Sequence, residues 1–356
     1  MHLYVLDNTL TVVAVIDSFK SLIWTTRYFE CGDFELFLPA DPDLLHYLQE
    51  DYFIIRDDDS SVMVIEDCEI QTDAENGDFF IVTGRSLESI LLRRVFCRQF
   101  NLTSSGSLAF AVWALVQECQ IVRNPTTGEP TGATYRQIPN LDIDMNFPGT
   151  ETITAQFTGQ TLFEAIQLMI QQRSTGIRMV ITATKKMQIQ LYKGSEVPVT
   201  FSPEYDNILS SKYTFSKRNF ANTVVCAGEG EGTDRQITTV IRGTFANRPS
   251  GLKLREIWVD ARDISSNNGS IDGYTYSRML SERANEKMAE HSIEESFEAQ
   301  IEPNTTYRYK TDYNLGDIVT VENGYGVASK PRIVEIIESW DETGYTVVPT
   351  FDTLAV

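Results

Sequence analysis

Short apolar runs separated by polar turns dominate the first part of the chain. Residues 3–6 and 11–16 form one pair of such runs, and residues 52–56 and 62–67 form another. Turn signals such as Asp7-Asn8 separate them, because Asn and Gly tolerate the positive φ of a tight reversal. Short strands at this regular spacing predict a sandwich or barrel over residues 1–96.

The hairpin centred on Cys31-Gly32-Asp33 carries the most informative pattern. After the turn, Phe34, Leu36 and Leu38 occupy alternate positions, but Phe37 between them is apolar as well. A strand that is apolar on both faces must be covered on both faces. We therefore expect a second sheet or another subunit to lie against this strand.

Residues 97–200 change to a mixed pattern. Helical spacing of apolar residues runs from Ser107 to Gln120 and again from Thr161 to Arg173. Thr161 and Glu164 match a capping box, which marks a helix start. A hairpin over Lys185-Lys186 follows, so we predict an α+β domain of residues 97–200 inserted after the first barrel.

Residues 201–356 return to β character. A Gly- and Glu-rich loop, 228–232, separates two strand patterns, and a helix is predicted from Gly273 to Ser292. The fold class that follows is mainly β with an α+β insertion, comprising two tube-like β-barrel domains plus smaller inserted domains. The first barrel is expected to be completed by strands from about 201–220, and the second to span 201–356 with a helical insertion near 273–292.

Composition predicts the compartment in which the protein folds and the charge of its surface. The chain has 356 residues, enough for two or three domains, and its 50 acidic against 30 basic residues give a formal charge of −20. Such a surface repels phosphate, which suits either solubility or a wall past which a polyanion slides. Five scattered cysteines without a CxxC pair favour a reducing compartment. With no signal peptide and no run of about 20 apolar residues, we expect folding in the cytoplasm and no membrane insertion.

No motif predicts a metal or cofactor site. His2, His46 and His291 lie in three different elements, whereas zinc chemistry needs clustered ligands. Loop 228–232 lacks the Lys-Ser/Thr of a P-loop, and its Glu229 and Glu231 would oppose an anion. It is therefore read as a mobile hairpin loop.

Two acidic segments have the residue types of a metal site or a catalytic pair. Asp57-Asp58-Asp59 lacks the Gly and Glu spacing of an EF-hand and reads as a solvated loop. Asp142 and Asp144 share one face of a predicted strand, as a glycosidase pair would. A cell-wall hydrolase using this pair is one alternative function, and a carbohydrate-binding receptor-recognition module is another. The prediction is that the chain is not an enzyme and needs no catalytic residue, cofactor or metal.

The order of many segments resembles the tail hub, or baseplate hub, proteins of long-tailed bacteriophages of the siphophage and prophage type. The matching segments are Tyr4-Val5-Leu6-Asp7, Val15-Ile16-Asp17, 21–28, Gly32-Asp33-Phe34-Glu35-Leu36, Ile65-Glu66-Asp67, Glu69-Ile70, 84–91, 227–232 with Arg235, and 313–319. Residues 97–200 contribute little to the resemblance.

This resemblance implies a structural virion protein. It would form a homotrimeric ring at the distal end of the tail tube, with two tube-like barrels per subunit adapting a sixfold tube to a threefold tip. The implied partners are the tail tube or distal tail ring, the tape measure protein and tip, spike or fibre proteins. Genomic DNA would pass through the channel without specific binding. The implied place is the virion tail tip, assembled in the host cytoplasm.

Together these points select candidates for the subunit interface or channel lumen. They are Trp24, Phe34, Leu36, Phe37, Glu229 and Glu231.

Overall fold

The chain is mainly β, as predicted. The structure, a computed structural model, describes residues 1–73, 77–124, 126–149, 151–205, 207–301, 307–322, 325 and 328–352. Four sheets occur within that part of the chain, and the largest has 14 strands.

The first half of the large sheet comes from the N-terminal part of the chain. Its strands are β1 (Leu3–Leu6), β2 (Val12–Ile16), β3 (Ser21–Arg27), β4 (Asp33–Pro39), β5 (Phe53–Arg56), β6 (Val62–Asp73) and β7 (Gly77–Ser86). A short helix, α1 (Pro42–Leu45), follows β4, and a 3-10 helix over Leu87–Arg93 follows β7. All pairs within this half are antiparallel, so the predicted hairpins of the first domain are confirmed.

The inserted residues form two small sheets and two helices. These elements are β8 (Phe100–Gly106), α2 (Leu108–Gln120), β9 (Leu141–Ile143), β10 (Glu151–Phe157), α3 (Leu162–Gln171), β11 (Gly176–Ile181) and β12 (Met187–Tyr192). Both predicted helices are present, and the Thr161–Glu164 capping box is formed. Strands β8 and β10 pair with each other, while β12 lies between β11 and β9.

The C-terminal part of the chain supplies the remaining strands and the fourth helix. Its elements are β13 (Glu196–Phe201), β14 (Ile208–Ser216), β15 (Thr223–Ala227), β16 (Ile237–Ile241), β17 (Glu256–Asp260), α4 (Gly273–Glu290), β18 (Glu294–Ile301), β19 (Ile318–Glu322), β20 (Ala328–Ser329), β21 (Arg332–Asp341) and β22 (Gly344–Asp352). Strands β16, β15 and β17 form a separate sheet under α4, with a core that includes Val224, Cys226 and Met279. The others, β13, β14 and β18 to β22, form the second half of the large sheet.

The two halves are one continuous sheet, whose main path runs β14-β18-β22-β21-β3-β4-β7-β6-β5-β1-β2. Strand β14 pairs with β18, and β13 pairs with β19. The expectation that strands from about 201–220 complete the first barrel stays a prediction. In the structure, the strand that continues the first half is β21. The sequence did not predict this pairing, because an alternating pattern identifies a strand but not its neighbour. Closure into two barrels, with the predicted domain bounds, stays a prediction.

Apolar strands of the first half are covered on both faces by the chain itself. On β5 and β6, Ile54, Met63 and Ile65 face the core of the first half. Phe53 and Val64 face the opposite way and pack in the same core as α2 and α3. The inserted domain thus supplies the second cover that continuous apolar runs require.

Candidate functional site

The seam between the two halves is the antiparallel pair β3–β21. It runs from Leu22 opposite Trp340 to Arg27 opposite Glu335. The Nε atom of Arg27 lies 2.6 Å from a Glu335 carboxylate oxygen, and Nη1 lies 2.5 Å from Asp33 on β4. Backbone hydrogen bonds and one ion-pair network therefore hold the halves together on this side.

A buried arginine lies at the other end of the seam. The Arg56 guanidinium has no exposed surface and lies between two tryptophans, 5.4 Å from the Trp24 ring centroid and 4.3 Å from that of Trp340. Its Nη1 donates to Glu338 at 2.9 Å, and its Nε donates to Asp58 at 2.8 Å. The Glu338 side chain is only 2% exposed. A charge of the first half is therefore neutralised by a buried carboxylate of the second.

Hydrogen bonds around Arg56 hold the charged forms in place. Burial alone lowers the pKa of Arg56, but its hydrogen bonds to Asp58 and Glu338 outweigh that effect and raise the pKa above its ordinary value. Burial also opposes the charged form of Asp59 and so raises its pKa. The Lys310 ammonium 2.5 Å away outweighs this effect and lowers the pKa of Asp59 below its usual range. Arg56 and Asp59 thus keep their opposite charges although water solvates both poorly.

Tyr28 joins all three parts of the chain. Its hydroxyl donates to the carbonyls of Ser174 and Tyr192 in the inserted domain, at 3.1 and 3.2 Å. Its ring lies so close to Gly176 and Gly316 that a Cβ atom on either residue would come within 2.4 Å of it. Gly316, at φ +93°, also adopts a conformation that favours glycine. The ring is therefore enclosed by residues of the insertion and of the second half.

A cavity of about 400 Å³ lies beside this junction. Its wall carries charges of both signs from the three parts of the chain: Arg27, Arg178, Lys193, Lys310, Asp58, Asp59, Glu88 and Asp317. Glu88 is buried, and burial raises its pKa, although hydrogen bonds from Ser86 and from the Met179 backbone partly offset the effect. This carboxyl group links the 3-10 helix after β7 to strand β11.

Three of the predicted interface residues lie inside the chain. Trp24 and Leu36 are fully buried and Phe34 is 2% exposed, all in the core of the first half. They present no surface that a sister copy could cover, because all three side chains pack against one another and their neighbours in that core. The structure thus corrects their placement from interface to core.

Phe37 points to the opposite side of β4. Its ring packs at 4.9 Å against Phe79, and it lies opposite Ile81, which lies opposite Glu69. We call this surface the Phe37 face; it consists of Phe37, Phe79 and Ile81, half-buried, with exposed Glu35, Asp67 and Glu69 around them. An interface or lumen role for Phe37 stays a prediction.

Loop 228–232 is anchored at its ends rather than free throughout. The Glu229 backbone N–H donates to the Tyr276 hydroxyl at 2.8 Å, and hydrogen bonds from Ser266 and Ser265 lower the pKa of the Glu229 carboxyl group. Arg235 donates to the Gly228 carbonyl and pairs with Asp260. Glu229 is half-buried and Glu231 exposed, and their lumen role also stays a prediction.

The other acidic candidates are held by local contacts. Asp144 accepts hydrogen bonds from the backbone and side chain of Asn146, whereas Asp142 lies 3.5 Å from Lys186. In the 57–59 run, Asp58 and Asp59 pair with Arg56 and Lys310. Among the described residues, no group of three or more His, Cys, Asp or Glu side chains is placed to hold a metal ion. No helix in that part of the chain combines the length and apolar character needed to cross a membrane.

The residues that carry the seam were missed by sequence reasoning. Arg56 and Glu338 each interrupt or end an apolar strand pattern, as in Phe53-Ile54-Ile55-Arg56 and Ile336-Ile337-Glu338. A charged residue at an inward position of a buried strand is the signal that could have identified them, because such a charge needs a partner.

A family model described as Siphovirus ReqiPepy6 Gp37-like protein matches residues 2–351. The chain is also similar in structure to several solved tail proteins. For a tail protein from Neisseria meningitidis MC58 the TM-score is 0.59 at 11% identity, covering 99% of this chain and 96% of that one. For the 43 kDa tail protein of prophage MuSo2 from Shewanella oneidensis it is 0.60 at 12% identity, covering 99% and 98%. For prophage tail protein gp18 from Listeria monocytogenes EGD-e it is 0.58 at 9% identity, covering 100% and 95%. No curated protein matches the sequence. At these identities the likeness shows a shared fold.

Replacing Arg56 tests the seam. We expect Arg56→Met to lower the free energy of unfolding by about 3 kcal/mol, because it leaves the buried Glu338 with only the more distant Lys310, at 3.6 Å, as a charged partner. The double variant Arg56→Met with Glu338→Leu should recover much of the loss. The control Arg85→Met removes an exposed pair, Glu66–Arg85, and should cost about 1 kcal/mol or less. Urea unfolding measures all three, and equal losses for Arg56→Met and Arg85→Met would refute the assignment.

Glu88 should make stability depend on pH. Its folded pKa is raised, so the native state holds the proton more tightly than the unfolded chain does. The contribution is most favourable below the unfolded value of about 4.3 and is lost as pH rises toward the folded pKa. Relative to wild type, Glu88→Gln should therefore gain stability between pH 4 and 8. Urea unfolding across that range measures the difference, and a constant difference would contradict this reading.

Proposed function

Because the chain belongs to the family of Siphovirus ReqiPepy6 Gp37-like proteins, we propose that it is a structural subunit of the tail hub. Three copies form a ring at the distal end of the tail tube and adapt the sixfold tube to a threefold tip. The observation that carries this proposal is the single sheet built from two β halves joined at β3–β21. Three copies of a two-part subunit offer six similar positions to a sixfold neighbour.

The rigidity of the seam supports an adaptor role. A ring that transmits symmetry must hold its two halves at a fixed angle, and a buried ion pair between two tryptophans resists bending at that joint. The inserted domain, tied to both halves through Tyr28, adds a second constraint. The subunit can thus work geometrically, without chemistry.

Charge supports a role in the ejection channel. A formal charge of −20 gives DNA little to bind. We propose that Glu229 and Glu231 are among the carboxylates near the lumen and that genomic DNA passes without specific contacts. The tube or distal tail ring, the tape measure protein and tip, spike or fibre proteins are the proposed partners, in a virion tail tip assembled in the host cytoplasm.

A mass measurement tests the ring. We expect the purified chain, alone or with its tail tube protein, to reach three times its 40.3 kDa mass in light scattering. The physical reason is that half-buried aromatic surface such as the Phe37 face gains from being covered. A chain that remains at 40.3 kDa in both conditions, even at high concentration, would refute the trimer, and glycan binding by that single chain would favour a receptor-recognition module.

A hydrolase would depend on Asp142 and Asp144, and the geometry gives it little support because each carboxylate has its own local partner. We propose that the protein acts without catalysis. Peptidoglycan release by the wild type should equal that of Asp142→Ala with Asp144→Ala and of a buffer blank. Release by the wild type that this double variant abolishes would overturn the proposal, with circular dichroism checking that the variant is folded.

A further inference from the structure

The connection between β16 and β17 has an unusual composition for this chain. Between residues 235 and 255 there are five basic residues and no acidic one, in a protein with 50 acidic and 30 basic residues. We call residues 242–255 the basic loop. The five basic residues of the wider segment are Arg235, Arg242, Arg248, Lys253 and Arg255.

The basic loop also exposes large apolar side chains. Leu252 is fully exposed and Phe245 is 78% exposed. The adjoining sheet continues the surface, with Trp258 57% exposed and Ile237 53% exposed. The Arg248 guanidinium lies 5.9 Å from the Phe245 ring centroid. Exposed aromatic and arginine side chains in one place are typical of protein interfaces.

The loop is held in shape before any partner arrives. Asn222 fastens its base: its side-chain N–H donates to the Lys253 carbonyl at 2.7 Å, and its side-chain oxygen accepts from the Arg255 N–H at 2.9 Å. Two 3-10 turns, Phe245–Asn247 and Gly251–Lys253, present the apolar side chains. A preorganised loop loses less entropy on binding.

A complementary surface exists on the same chain, in a different sheet. The Phe37 face has apolar side chains at its centre, with three exposed carboxylates around them, those of Glu35, Asp67 and Glu69, and one ammonium group, that of Lys20, 5.6 Å from the Phe79 ring centroid. Strand β6, residues 62–73, contains four acidic residues and no basic one. The two surfaces thus match in apolar character and oppose each other in charge.

We propose that the basic loop of one copy docks on the Phe37 face of the next copy. Phe245 and Leu252 cover the half-buried aromatic centre, while Arg248 and Lys253 meet Glu35 and Glu69. Two different patches of one chain make a head-to-tail contact, and such a contact forms a ring when the rotation from one copy to the next closes; in the proposed trimer that rotation is 120°, because three equal rotations complete one full turn. This inference rests on the proposed trimer and names the surfaces that build it.

Charge exchange tests the contact in the full chain, with and without tail tube protein. Arg248→Glu with Lys253→Glu should weaken assembly about tenfold or more, and Glu35→Lys with Glu69→Lys should do the same, because each sets like charges against each other. Combining all four changes should restore assembly. The control Lys185→Glu with Lys186→Glu changes the net charge by the same amount as the basic-loop variant does. It lies on the hairpin turn of the inserted domain and should leave assembly unchanged.

Cross-linking locates the contact without substitutions. A carbodiimide joins the Lys253 amine to a neighbouring carboxylate, and mixing isotopically heavy and light chains separates contacts between copies from contacts within one. We expect mixed heavy–light peptides joining Lys253 to Glu35, Asp67 or Glu69. A three-chain assembly whose cross-links and charge variants implicate other surfaces would overturn this inference and leave the hub proposal standing. A chain that never assembles would overturn both, as would duplex DNA binding that the loop variants abolish without any self-association.

Discussion

The arrangement depends on one buried charge. Arg56 lies on a strand of the first β half, with its guanidinium enclosed between Trp24 and Trp340 and shielded from water. A buried guanidinium remains protonated, so the fold must supply a carboxylate in a matching place. That carboxylate, Glu338, comes from a strand 282 residues later in the chain. Asp58 of the first half supplies the other carboxylate, so Arg56 joins acidic side chains from both halves.

The inserted domain serves the same architecture. Strands β5 and β6 are apolar on both faces. One face lies in the core of the first half, and the opposite face shares a core with α2 and α3. Tyr28 fastens this cover to the second half as well, through contacts with Gly176 and Gly316 that leave no room for a side chain. Three parts of the chain thus meet at one cavity with walls of mixed charge.

Charge is distributed unevenly over the surface. The chain carries 50 acidic and 30 basic residues, and a net negative charge disfavours binding to DNA and nonspecific association. The basic loop and the acidic rim of the Phe37 face depart from the average in opposite directions. In the proposed ring, this separation of charge favours contacts between unlike patches of successive copies over contacts between like patches.

The sequence by itself determined the local elements, because periodicity and caps act within a few residues. The Thr161–Glu164 box, the hairpin at Lys185-Lys186 and the long helix from Gly273 all appear as predicted. Only the tertiary structure decided which strand neighbours which, so β21 continues the first half and β14 pairs with β18. It also decided that Trp24, Phe34 and Leu36 are core while Phe37 is not, and that Arg56 has a partner. Strand pairing and charge burial join residues far apart in sequence, and a local pattern contains no record of the distant partner.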